Sequence, residues 1–416
     1  MPPFPVLERL QRLYRQKEVP TGPAISFQTA CILSIVFNVL YVAPIYLSPT
    51  ARPSPVAKRD APSVIRARIR AITISCVIST LVTYYVVAVY GKNDFKATIA
   101  LLGWYPIHLT DVARVLLLVA ILFAGPLFET GIVEGGWRGW IKGEGAIEVL
   151  SSWTGWRNFV AGPITEELIW RSLLIPLHLL ASSMYPMNLL PSTFTAMHSE
   201  SRGQSNIPSS ASPLAIRDTR NAILITPLYF GIAHVHHFYE FVLSHPHASI
   251  TQALIRSLVQ FTYTTIFGWF EAYVFVRTGS LLAVIAAHSF CNWLGLPRFW
   301  GRLGRETYVS DGRAAVDETL KQSRQLRSTT RAAAKTTTAA PRDDDDDDED
   351  EDSEDVFAPT QDEDPIPVLH APRGRKVWTV GIGWTIAYYL LLVAGAVGFW
   401  KQLGPLTEST NKLAEI

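Results

Sequence analysis

Residues 161–180, "AGPITEELIWRSLLIPLHLL", have the length and apolar content of a membrane-spanning helix, yet three ionisable groups, Glu166, Glu167 and Arg171, lie inside them. A bilayer core is crossed by about 20 apolar residues in helical form. Each ionisable side chain near its centre costs about 2.5–3.5 kcal/mol on insertion scales. Three such groups in one span need polar partners on neighbouring spans. The stretch therefore predicts a helix inside a bundle, with a polar interior, and not a lone lipid anchor.

The remainder of the chain agrees with that expectation. It has 416 residues, 48% of them hydrophobic and 18% charged, with 12 Trp, a balance too apolar for an ordinary soluble domain. Hydropathy predicts an all-α, polytopic membrane protein with about eight spans enclosing a polar catalytic cavity. The spans are expected near 25–47, 68–90, 110–133, 157–180, 219–241, 249–276, 280–299 and 377–400. The fourth to seventh are the least uniformly apolar, as expected of helices that line a cavity. Around these spans the chain divides into a basic N-terminal segment (1–24), a helical catalytic core (25–300), an insertion (301–376) and a last span with its tail (377–416). Within the core, a loop rich in Ser, Pro and Asn covers 186–218, and the polar motifs fall in 155–300.

The net charge of +1 conceals an asymmetry. The run "DDDDDDEDEDSED" (343–355) holds 12 of the 36 acidic residues, leaving 24 against 37 basic ones elsewhere. That excess, spread over loops between apolar segments, suits contact with anionic lipid headgroups, and no nucleic-acid-binding module is recognisable. The insertion is low in hydrophobicity and dense in like charge, so it is expected to be a disordered, solvated spacer. Basic residues flank the first span on both sides, so charge does not fix the orientation of the chain in the membrane. The charged, Pro-rich N-terminus lacks the apolar core of a signal peptide, which leaves targeting to the first span. Cys31, Cys76 and Cys291 lie in apolar segments without paired spacing, as expected of reduced packing thiols.

Three polar pairs stand at i,i+4, the spacing that sets two side chains on one helical face. Glu167 is matched with Arg171, which leaves the adjacent Glu166 projecting to a different side. Phe230 is matched with His234 in "LYFGIAHVHHFYE". His288 is matched with Asn292 in "AVIAAHSFCNWLGLP". Carboxylate and histidine together position and deprotonate a water, while histidine and amide donate to an oxyanion; these are the parts of amide hydrolysis without a covalent intermediate. No Gly-x-Ser-x-Gly elbow accompanies Ser289, and Cys291 lies in an apolar setting that disfavours thiolate, so a serine or cysteine nucleophile is not expected. No His-Glu-x-x-His is present, although His234 and His237 with Glu166 offer a conceivable zinc set. Two alternatives stand beside a metal-free protease: a zinc-dependent membrane protease, and a non-enzymatic scaffold or proton-coupled transporter built on the same buried charges.

"EELIWR" (166–171), "FGIAH" (230–234) and "HSFCN" (288–292), in that order on successive apolar segments, resemble the type II CAAX prenyl endopeptidases. These are the Ras-converting enzymes of the wider glutamate intramembrane protease family. The resemblance implies an endoplasmic reticulum membrane protein with a site accessible from the cytosol, needing neither cofactor nor metal. It implies substrates that are prenylated CaaX proteins, such as Ras-like small GTPases, from which the last three residues are cut. It implies Glu166 as the base that activates water, assisted by His234. His288 and Asn292 would form the oxyanion site, Glu167 and Arg171 would order it, and Phe230 would wall it.

Overall fold

The computed structural model describes residues 23–52, 59–182, 213–304, 306–310 and 374–414. Most of the 186–218 loop, the basic N-terminal segment and the acidic run 343–355 lie outside the described residues. Ten helices organise what is described: α1 (Phe27–Leu47), α2 (Pro62–Tyr85), α3 (Leu109–Leu122), α4 (Gly162–Glu167), α5 (Leu174–Ser182), α6 (Pro213–Ala233), α7 (His237–Ser244), α8 (Ile250–Thr278), α9 (Leu281–Leu294) and α10 (Ile382–Thr407). Further short helices and π and 3₁₀ turns join several of them.

Local chemistry sets their ends. Ser26, Ser249 and Ser280 each accept a hydrogen bond from the backbone N–H three residues on, capping α1, α8 and α9. Pro62 opens α2, where a missing N–H costs nothing. Gly279 at φ +56° lets the chain leave α8 through a left-handed residue and enter α9 at once.

By length and apolarity, α1, α2 with its π-helical extension to Tyr90, and α10 qualify as membrane spans. A fourth forms if α3 and the segment Ala124–Val133, bent by 82°, are counted together. Three of the other expected spans are helical but interrupted, 157–180 by π turns, 219–241 by a 3₁₀ turn at His234–His236 and 280–299 by the end of α9 at Leu294, while 249–276 is the unbroken α8. The interrupted spans include all three that carry the polar motifs. Interruption and polarity go together because irregular backbone, like charge, is tolerated at membrane depth only where protein surrounds it.

The helical unit comprises Met1–Phe299 and Ala387–Ile416. Its centre is the segment Ile169–Ala181, buried at every residue. One side of that segment, with Trp170, Leu173 and Leu177, packs with Phe37 and Tyr41 of α1 and Phe230 of α6. The other side, with Ile175 and Leu179, packs with Val115 and Val119 of α3, Ala272 and Phe275 of α8 and Ala287 of α9. A segment enclosed by other helices gives Arg171, with Glu167 one turn before it, the protein surroundings that charge in an apolar span requires.

A second unit, Trp300–Ile386, adds one short two-stranded ladder to the otherwise all-α fold. Strand β1 (Glu306–Ser310) pairs antiparallel with β2 (Gly374–Trp378), Glu306 opposite Trp378, so the flanks of the insertion hydrogen-bond to each other. β1 contains Thr, Tyr and Val in sequence, residues that favour a pleated backbone. Residues 311–373 between the strands lie outside the described residues, and with them most of the expected disordered insertion.

Candidate active site

Glu166 and Glu167 end α4, and Arg171 lies in the π-helical turn Leu168–Leu173 that follows; a second π turn, Arg157–Ala161, precedes α4. Single π turns inside α-helices recur at functional sites because the extra residue re-aims side chains on each side. Glu167 is completely buried and Glu166 is 22% exposed, so the adjacent carboxylates occupy different surroundings.

Glu167 joins two motifs. Its Oε2 lies 3.0 Å from Arg171 Nε, an ion pair whose N–H is not aimed well enough to count as a hydrogen bond. Its Oε1 accepts a 2.7 Å hydrogen bond from Nδ1 of His288, 121 residues further along the chain. With Nδ1 so engaged, Nε2 of His288 is turned to Glu166, 3.8 Å from its Oε2. That separation is too long for a direct hydrogen bond. One water placed beside both atoms would satisfy each, the usual answer to a polar contact beyond 3.5 Å.

Phe230 ties in the remaining motif. Its ring carries the Arg171 guanidinium at 4.5 Å, His234 edge-on at 4.6 Å and His288 at 6.4 Å. His234 is held by its Nδ1 donating 2.8 Å to the carbonyl of Phe230, and its Nε2 makes no hydrogen bond among the described residues. The structure therefore brings Arg171, His234 and His288 to the Phe230 ring, and His288 in turn meets Glu167 and faces Glu166. Asn292 stands apart: it is exposed, and its Nδ2 donates 2.9 Å to the carbonyl of Asn158. That bond ties α9 to the π turn before Glu166.

Sequence reasoning missed several supporting groups. Tyr41 O–H shares a 3.0 Å hydrogen bond with Thr165, the residue before Glu166. Trp170 donates 2.9 Å to Asn38 and packs edge-on against both Tyr41 and Phe230. Phe267 of α8 lies edge-on to His288 at 4.8 Å, and Glu271, one turn further along, is completely buried. Asn38 and Glu271 carried a signal, a polar side chain inside an apolar span, that went unused.

The conceivable zinc set His234, His237 and Glu166 does not assemble as such. Among the described residues, ligand atoms converge within 4.8 Å at His236, His237 and Glu240 instead. There Glu240 already accepts from His237 Nδ1 at 2.9 Å and is ion-paired with Arg68 at 2.8 Å. A cation at that place competes with a guanidinium. Ser289 and Cys291 are not arranged as nucleophiles: Ser289 donates to the Ile285 carbonyl, and no base contacts the Cys291 thiol among the described residues.

Residues 148–294 match the family model described as "Type II CAAX prenyl endopeptidase Rce1-like". The chain is 32% identical over 273 residues to a protein of Schizosaccharomyces pombe named "Probable CAAX prenyl protease 2"; the match covers 66% of this chain and 83% of that one. Proteins named "CAAX prenyl protease 2" from Arabidopsis thaliana and Homo sapiens are 29% identical over 299 residues and 27% over 282. Those matches cover 82% and 73% of the two relatives and 66% of this chain in each case. No solved structure matches. The matched segment spans all three motifs and the helices that bring them together.

Proposed function

This chain belongs to the type II CAAX prenyl endopeptidases, membrane enzymes that remove the C-terminal tripeptide from prenylated CaaX proteins, and on that premise we propose how its residues do so. Glu166 takes a proton from a water held between its carboxylate and the imidazoles, and the water oxygen attacks the carbonyl of the prenylated cysteine. Negative charge develops on that carbonyl oxygen, where Nε2 of His288, when it carries its proton, and the second amide hydrogen of Asn292 donate to it. The intermediate collapses by breaking the C–N bond. Glu166 returns its proton to the departing amine, so the products are a new cysteine carboxylate and a free tripeptide. His234 assists through the nitrogen that its bond to Phe230 leaves unengaged.

The observation that carries this assignment is the pairing of the two nitrogens of His288 with the two carboxylates, Glu167 at 2.7 Å and Glu166 at 3.8 Å. One carboxylate orients the ring and the other shares its working side. Substrate chemistry supports an intramembrane site as well. Burial worth about 0.8 kcal/mol per CH₂ draws a prenyl chain into lipid and leaves the short peptide tail to reach the helices. Our reading further takes Ras-like small GTPases among the substrates, lipids as the surrounding contact, the endoplasmic reticulum as the membrane, and the cytosolic side as the point of entry.

The test is tripeptide release from a prenylated fluorogenic peptide by the purified full-length chain. E166Q, H234A and H288A should each lower kcat by about 100-fold or more, the scale of a lost acid–base group. Full activity in any one of them removes that residue from the mechanism.

A further inference from the structure

Glu271 lies in the middle of an apolar helix, is completely buried, and has no hydrogen-bond partner at either carboxyl oxygen among the described residues. Ionisable groups at such positions are expensive and persist where another group meets them. The face it occupies is defined by its neighbours on α8. Phe267, four residues earlier, lies against His288 at 4.8 Å. Gly268, three residues earlier, lets α8 approach so closely that a Cβ there would stand 3.3 Å from the Phe230 ring. Glu271 therefore continues a strip facing the ring on which Arg171 rests at 4.5 Å.

Arg171 has the complementary deficit. Glu167 engages its Nε side at 3.0 Å, while Nη1 and Nη2 are buried without a hydrogen-bond partner among the described residues. Glu167 and Arg171 are also the charged groups in electrostatic reach of Glu271. A guanidinium presents five donors in a planar fork and is commonly shared by two acceptors.

We propose that Glu271 is a positioning residue of the hydrolytic site: its carboxyl receives the Nη groups of Arg171 across a bridging water, and so fixes Glu167 against His288. Glu167 alone would face a guanidinium whose planar fork is free to swing about the Cδ–Nε bond. With a second acceptor the fork is clamped, and Oε1 of Glu167 remains committed to the imidazole. Glu271 touches neither substrate nor the attacking water. It is joined to His288 through two intervening side chains, and the inference rests on the site reading above.

The test compares kcat and KM for E271L, E271Q and E271A in the full-length chain, purified in detergent, on the prenylated peptide. E271L is expected to lower kcat by about 10-fold or more and to leave KM within about twofold. E271Q, which restores an acceptor, should recover most of the loss. A second comparison does not depend on E271L folding. If the two side chains act through each other, E271A should cost less in the background of R171K, which lacks the fork, than in the unmodified chain. Wild-type kcat in E271L, E271Q as impaired as E271L, or an equal cost of E271A in both backgrounds would each overturn the proposal. An unmodified chain that releases no tripeptide would instead overturn the proteolytic site reading, so the two failures are told apart.

Discussion

The two carboxylates at 166 and 167 are neighbours in sequence and opposites in circumstance, and substitution should separate them. Glu166 is partly exposed and faces His288 across a gap, so its loss removes chemistry while few packing contacts change. Glu167 and Arg171 form a fully buried pair, and removing one partner leaves the other charged and alone, a cost of about 3–5 kcal/mol. R171M is therefore expected to lower the thermal midpoint sharply, whereas E166Q should unfold at the wild-type temperature while releasing no tripeptide. Circular dichroism melts of the two variants in the same detergent decide the point. Asn292 offers a third outcome. It is exposed, so N292A should fold normally and lose about 10- to 100-fold in kcat if its amide serves the oxyanion. These residues were legible because the pairs sit at i,i+4 in apolar surroundings. That Glu167 holds His288 was not legible, since no local spacing reports a contact between residues 121 positions apart.

Helix contacts set the positions of these side chains, and a close one joins α6 and α8. A Cβ at Gly231 would collide with the Thr265 hydroxyl and stand 3.0 Å from the Phe261 ring. Small residues at such crossings are what let helices approach in a membrane, where packing replaces the hydrophobic effect as the driving force. G231A is expected to destabilise the fold by about 1–3 kcal/mol as an overpacking change. It should lower kcat too, because Phe230 precedes it and His234 follows within one turn. A G231A chain matching the unmodified one in both melting temperature and rate would show that the crossing has more slack than its distances imply. Hydropathy located these helices but not their breaks. The 82° bend after α3, the π turns around α4 and the 3₁₀ turn at His234 come from tertiary packing, which a window of apolar residues does not encode. The polar residues inside those windows were nevertheless a fair guide to which helices would be irregular.

At the scale of the molecule, the groups we assign to catalysis come from α4, α6 and α9 and the turns adjoining them, all within the helical unit. Deleting 343–355 should therefore leave kcat on a short prenylated peptide unchanged, and a fall would show that the acidic run takes part in turnover. The hydrolysis assigned to Glu166 calls on no metal, so activity should also persist in chelated protein whose zinc content is measured and negligible; loss on chelation with recovery on zinc would redirect attention to His236, His237 and Glu240. The expected count of eight spans came from treating every apolar window as a crossing. Three helices, or four with the bent pair, have the length and composition to cross unaided, and the others depend on their neighbours for cover. The π turn at Leu168–Leu173 has one more consequence. It behaves as an insertion absorbed on the spot, so excising a single residue from it should let the backbone rewind there while both flanks stay seated. Such a one-residue deletion would spare the bundle and part the acid at 167 from its arginine, making the chain's reading frame around this turn more critical to catalysis than to folding.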